Sequence, residues 1–257
     1  MRPHAIEGWH KVMVSGDVST LPELLHDDAV FHSPVVHTPQ TGKTKVMMYL
    51  SAAATVFFYA EARRIGGKWG VSLLVAALVT LVAAVHYFYM REVWVTTGES
   101  PTVYRYIDWL ITVPLQMVEF YLILFAVGAA TSRIFWHLLV GTLVMLLGGY
   151  FGEIGVVDAT LGFIVGMVGW VYILYFIFAG EAGQKAAAAG GAVASAFSTM
   201  RLIVLVGWSI YPLGYVLGYM TGTVDPASLN GIYNIADFVN KIAFGLMIWA
   251  AATSEEA

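Results

Sequence analysis

The sequence has no cysteine, little charge and no basic surplus, and each shortage removes a class of function. Without a thiol there is no disulfide framework, no thiolate metal site and no cysteine nucleophile, and the redox compartment stays open. Asp, Glu, Lys and Arg make up 12% of the 257 residues, about half of what a soluble domain carries. With 13 basic and 17 acidic residues the net charge is −4, so the electrostatic footprint of a nucleic-acid binder is missing. Residues 1–43 hold no apolar run of the kind a cleavable signal peptide needs.

Apolar residues are abundant: 59% of the chain is hydrophobic and the mean hydropathy is +0.74. This is the composition of an integral membrane protein. A spanning helix needs about 20 mostly apolar residues, and seven such segments can be drawn: 44–62, 69–90, 102–126, 134–151, 159–179, 198–220 and 231–252. The expected fold is an all-α membrane protein, a seven-transmembrane-helix bundle. Gly, Pro, Ser and Asp punctuate the connections, as in GESPT and GTVDPASLNG. The longer AGEAGQKAAAAGGAVASAFS reads as a flexible loop at its beginning and as the start of the sixth helix at its end. Arg63, Arg64, Lys68, Arg133, Lys185 and Arg201 flank one side of the bundle, whereas the opposite loops contribute Arg91. Arg2, Lys11, Lys43 and Lys45 of the N-terminal tail are offset by five acids. The positive-inside rule then puts the N-terminus outside and the C-terminus in the cytoplasm.

Among the ionisable residues inside the apolar segments, His86, Arg105, Asp108, Glu119, Asp237 and Lys241 stand out. A charge at the bilayer centre costs about 3 kcal/mol or more, so such residues turn toward the bundle interior and mark a path or a ligand. On a helix, Asp108, Thr112 and Glu119 fall within about 40° of one another, with Arg105 on the same stripe. Asp237 and Lys241, four apart, share a face of the seventh helix. Glu119 lies about 16 Å nearer the cytoplasm than Asp108, and two acids at different depths on one face suit a proton relay. A buried lysine amine suits Schiff-base chemistry with an aldehyde, and Trp109, Trp170, Trp208 and Tyr211 are aromatic residues able to wall such a ligand. Two plainer readings stand beside this one. The charges can form a salt-bridge cluster that only holds helices together, although burying ion pairs is often no better for stability than apolar packing. Each aromatic can be ordinary core.

The segments HYFYMREVW, SPTVYRYIDWLITVPL, EFYLIL, GWSIYPLGY and ADFVNK resemble the microbial rhodopsins, and within them the proteorhodopsin group, over about four fifths of the chain. The resemblance implies a light-driven outward proton pump rather than an enzyme, with all-trans retinal bound to Lys241 as a protonated Schiff base. It implies a counterion pair of Asp108 and Asp237 with Arg105 on its extracellular side. Asp108 would accept the proton and Glu119 return it, with Thr112 between them and His86 touching the acceptor carboxylate and coupling to its proton exchange. The implied pocket contains Trp109, Gln116, Met145, Trp170, Trp208, Tyr211 and Pro212. Gln116 stands at the colour-tuning position, where glutamine resembles the blue-absorbing type. Phe163 stands where carotenoid-binding relatives keep a glycine, which argues against a carotenoid antenna. Glu153 matches a family glutamate without an assigned role. Expected surroundings are a prokaryotic plasma membrane, protons as cargo and a homo-oligomer, a pentamer or hexamer. The alternative is a photosensory member that signals through a partner without net transport.

Residues 1–43 depart from this pattern. IEGWHKVMVSGDVSTLPELLHDDAVFHSPVVHTPQTGK resembles the opening of a SnoaL-like domain, too short a fragment to close the core of that fold. His26, Asp27, Asp28, His32 and His37 match no standard metal spacing, so no metal is expected. The expected division is an atypical extracellular segment at 1–43, partly disordered or packed on the bundle, and the bundle itself at 44–257. A soluble enzyme anchored by the bundle is a third reading, and the fragment's shortness counts against it.

Overall fold

The computed structural model describes residues 30–31, 40–97 and 101–256. Most of the SnoaL-like stretch, including the histidines and aspartates at 26–28, 32 and 37, lies outside the described residues. What is described there is a two-residue hairpin in which Val30–Phe31 pairs antiparallel with Gln40–Thr41, leaning on the first long helix.

Everything else described is helical or connects helices. The first five spans are Lys43–Ile65, Gly67–Thr97, Thr102–Ala126, Ser132–Glu153 and Ala159–Phe178, and the seventh is Pro226–Glu256. The sixth covers Gly191–Met220 in several pieces. Six of the seven are long and apolar enough to cross a membrane. The first falls short because charged residues crowd its ends, among them Lys45, Glu61, Arg63 and Arg64. Each span packs on the next, and the seventh returns to the first and second, closing a ring. The distribution of polarity is that of a protein dissolved in lipid. Trp136, Val168 and Tyr175 are exposed, while Arg105, Asp108, Thr112, Gln116, Glu119, Asp237 and Lys241 are all buried.

Helix starts follow their capping residues. The Asp158 carboxylate accepts from Thr160 and Leu161 at the start of the fifth span, and Asp225 accepts from Ser228 at the start of the seventh. Pro226, in the first helical position, loses no intrahelical bond. That cap explains why the seventh helix begins at 226 and not at 231, as hydropathy alone suggests. The fourth and fifth spans meet backbone to backbone. A Cβ on Gly148 would stand 2.6 Å from the Gly166 nitrogen, and one on Gly162 2.6 Å from Gly152 Cα. Small residues at such a seam let the van der Waals contact of two membrane helices close up.

The largest correction concerns the Ala/Gly-rich connection. Glu181–Ala189 is a helix and not a flexible loop. Alanine has the highest helix propensity, and Glu181 sits in the first turn, where the helix dipole favours an acid. Gly183 is close-packed: a Cβ there would stand 2.6 Å from the Ile177 carbonyl oxygen. The break falls at Gly190 and Gly191, with φ of +67° and +53°. The sixth span therefore starts seven residues earlier than hydropathy suggests. It is also irregular, with a 3₁₀ turn at Gly207–Ser209 and a π segment at Val216–Met220.

Candidate functional site

The third span brings Arg105, Asp108, Thr112, Gln116 and Glu119 inward, at the 3.6-residue spacing of one helix face. The seventh brings Asn230, Tyr233, Asp237, Asn240 and Lys241. Where the two faces meet, Lys241 Nζ donates to Asp108 Oδ2 and to Asp237 Oδ2, each at 2.5 Å. All three side chains are at least nine-tenths buried. An ammonium here would cost several kcal/mol unpaired, and so would either carboxylate, so each stabilises the others.

The two carboxylates differ in their other partners. Asp237 accepts from the Tyr87 hydroxyl at 3.3 Å, the Trp109 indole N–H at 3.2 Å and the Tyr211 hydroxyl at 3.3 Å. Asp108 Oδ1 has no hydrogen-bond partner among the described residues. His86, expected against this carboxylate, has Nδ1 3.9 Å from Oδ1. That distance allows an ionic contact but no hydrogen bond. The Nδ1–H is used instead on the Val82 carbonyl, 2.9 Å away and one turn back along the same helix. Thr112 donates to the Asp108 carbonyl oxygen at 3.0 Å, which holds its hydroxyl beside the acid's backbone. On the expected extracellular side, Arg105 Nη2 donates to Asn230 Oδ1 at 2.7 Å, and the guanidinium lies over the Tyr233 ring at 5.0 Å.

Beside this cluster lies a cavity with about 790 Å³ of space free of protein atoms, open solvent at its mouth included. Of the anticipated pocket, Trp109, Gln116, Met145, Trp170, Trp208, Tyr211 and Pro212 all line it, with Phe163 and Glu153. Asp237 and Asn240 form polar points on its wall, close to Lys241 in the chain. The Gln116 amide nitrogen is buried with no partner among the described residues. Glu153, at the end of the fourth span, accepts from the Tyr106 hydroxyl at 2.8 Å. Glu119 lies outside the cavity, buried, and its Oε1 has no partner among the described residues.

The geometry adds residues that the sequence reading passed over: Tyr87, Tyr106, Asn230, Tyr233 and Asn240. A signal for three of them was present. Asn230, Tyr233, Asp237, Asn240 and Lys241 recur at helical spacing on one face, so the face around Asp237 and Lys241 extends in both directions.

Residues 39–255 match the family described as bacteriorhodopsin-like protein. The chain belongs to that family. It is similar to the green-light absorbing proteorhodopsin of the gamma-proteobacterium EBAC31A08, with 53% identity over 80% of this chain and 83% of the relative. The blue-light absorbing proteorhodopsin of the gamma-proteobacterium Hot 75m4 is 51% identical over 80% of this chain and 82% of its own. Among solved structures, a blue light-absorbing proteorhodopsin from Med12 shares 49% identity at a TM-score of 0.69. That alignment covers 82% of this chain and 98% of the other. The family match begins at 39, inside the segment 1–43. Membership makes this a multi-pass membrane protein with a retinal chromophore.

The residues present fit that group. A long polyene aldehyde needs a buried amine, apolar walls and room; Lys241, the aromatic lining and the cavity meet those needs. Gly149 and Gly166 lie on its wall, and a Cβ on Gly149 would stand 2.8 Å from the Tyr106 hydroxyl oxygen, so a side chain there would crowd the space.

Proposed function

We propose that this rhodopsin is a light-driven outward proton pump in which Asp108 accepts and Glu119 returns the proton. One observation carries the reading. A buried lysine bonded to two carboxylates adjoins an aromatic cavity, and an isolated acid sits about 16 Å along the same helix face. Bound to Lys241, all-trans retinal supplies the absorption of light and the change of shape that follows it. Every other part is played by the chain.

The unequal surroundings of the two carboxylates assign their roles. Three neutral donors besides Lys241 stabilise the charge on Asp237. Among the described residues the Asp108 carboxylate accepts from Lys241 and has its other oxygen without a partner. When the lysine nitrogen loses its proton, Asp108 is the anion that gains more by taking it, at Oδ2. Arg105 holds a fixed positive charge one turn toward the outside, anchored by Asn230. Glu119 has no cation bonded to it, and a bare carboxylate in such a place costs several kcal/mol. Its stable form is the neutral acid, which stores a proton on the cytoplasmic side.

This direction of transport follows from the orientation given by the basic loops, with the N-terminus outside. The same reading takes the membrane to be a prokaryotic plasma membrane and the assembly to be a pentamer or hexamer without a carotenoid antenna. Phe163 supports the last point, since its ring lies on the cavity wall, 5.6 Å from that of Tyr215, where a second pigment would need space. Gln116 places a polar amide beside the polyene, in keeping with blue absorption. Gln116→Leu is expected to shift the visible band to longer wavelength, and an unmoved spectrum would remove the tuning role.

The deciding experiment is the pH of a suspension of cells making the protein and supplied with retinal. Illumination acidifies the medium, and a protonophore abolishes the change. A pigment that shows no such acidification is a sensor and not a pump. Glu119→Gln is expected to slow return of the proton to the lysine nitrogen by about 10²-fold, read by flash spectroscopy. An unchanged decay would eliminate Glu119 as the donor.

A further inference from the structure

We propose that Asn240 is a positioning residue that ties the backbone of the sixth span to the lysine-bearing turn of the seventh. The sixth span leaves α geometry at Gly207–Ser209, where Ser209 N–H donates to the Val206 carbonyl at 3.3 Å. At that turn the Asn240 side-chain amide donates to the Gly207 carbonyl at 3.1 Å. One turn further along the same span, the Tyr233 hydroxyl donates to the Tyr211 carbonyl at 3.1 Å. The seventh span thus holds two main-chain oxygens of its neighbour, from positions on either side of Asp237. Trp208 and Tyr211, which the two ties bracket, both line the cavity.

Position 207 is built for the contact. A Cβ on Gly207 would run into the Asn240 amide, so the glycine serves close approach. Asn240 precedes Lys241 in the chain, so any shift of the lysine backbone moves the amide that donates to the Gly207 carbonyl. Continuous α-helix would resist such a pull; a 3₁₀ turn, with its poorer hydrogen bonds, is the compliant place to receive it. The tie therefore makes the turn at 207–209 respond to events at Lys241. That functional meaning rests on the reading that Lys241 carries the chromophore, whereas the mechanical tie does not.

Hydrogen–deuterium exchange of the full-length chain, reconstituted in lipid without retinal, tests the tie. Asn240→Val is expected to speed amide exchange across 206–213 by about tenfold, the factor that loss of one ordinary buried hydrogen bond gives, with the first four spans unchanged. Asn240→Leu, close in size to asparagine but lacking the amide N–H, is the second variant and is expected to do the same. Gly207→Ala displaces the amide and also speeds exchange. The double variant Gly207→Ala with Asn240→Val exchanges no faster than either single change, because both remove one interaction. Additive effects, or unchanged exchange in both Asn240 variants, overturn the tie. With retinal present, the single variants alter the rate of return to the dark state severalfold; an unaltered rate overturns the link to Lys241. Unchanged exchange in a chain that still pumps overturns the tie alone, and a chain that stays colourless with the double-variant result intact overturns the pump alone.

Discussion

Lys241→Ala abolishes the visible absorption band that appears when the protein is supplied with retinal. The reasoning is covalent. Only an amine can condense with an aldehyde to an imine, and among the described residues buried within the spans Lys241 is the one amine. The substitution has a second effect, which a control must separate from the first. Asp108 and Asp237 both bond to Nζ at 2.5 Å, and removing the cation leaves two carboxylates facing each other away from water. Stripping one partner from a buried ion pair costs about 3–5 kcal/mol, so the alanine variant is expected to be less stable as well as colourless. Lys241→Arg separates the two. A guanidinium keeps the positive charge near both acids but forms no imine under these conditions, so this variant stays folded and still lacks the band. A visible band in either variant would move the attachment elsewhere and overturn the assignment of the site.

Asp108→Asn leaves a pigment that no longer pumps. Asparagine matches aspartate in shape but offers no basic oxygen, and loss of a positioned proton acceptor costs about 10²–10⁴-fold in transfer rate. Asp237 does not take over, because the Tyr87, Trp109 and Tyr211 donors are arranged to stabilise its charge. The check is the light-driven pH change alongside the spectrum of the same sample; continued acidification with the band intact would remove Asp108 as acceptor. Acid acts in the same sense as the mutation. Asp108 accepts only when ionised, so outward transport is present at higher pH and fades as falling pH protonates the carboxyl.

Much of this was legible before any coordinates. The length and spacing of the apolar segments set the number of spans, because a bilayer demands about 20 apolar residues of each. The few charges inside them had to face inward, because lipid cannot solvate them. Helical periodicity alone placed Asp108, Thr112 and Glu119 on one stripe, and Asp237 beside Lys241. Of the residues expected around the chromophore, Trp109, Gln116, Met145, Trp170, Trp208, Tyr211 and Pro212 line one cavity, and Lys241 is not among its lining residues. The sequence reading went astray where it relied on composition. It took glycine in AGEAGQK for flexibility, where close packing and alanine propensity make a helix. Nor does composition reveal the 3₁₀ turn of the sixth helix, where Gly207 makes room for a neighbour's side chain.

The sequence by itself determined that this chain lies in a membrane, how often it crosses, and which few polar side chains must meet inside. Those are local consequences of hydropathy and a 3.6-residue repeat. Only the tertiary structure decided that Lys241 bonds to Asp108, 133 residues away in the chain, and that Asp237 has three further donors where Asp108 has an oxygen to spare. It also decided that the His86 ring N–H turns to its own helix and that Asn240 reaches the Gly207 carbonyl. These follow from how helices rotate and approach when packed. That is set by the sum of contacts across the bundle, which no single segment encodes.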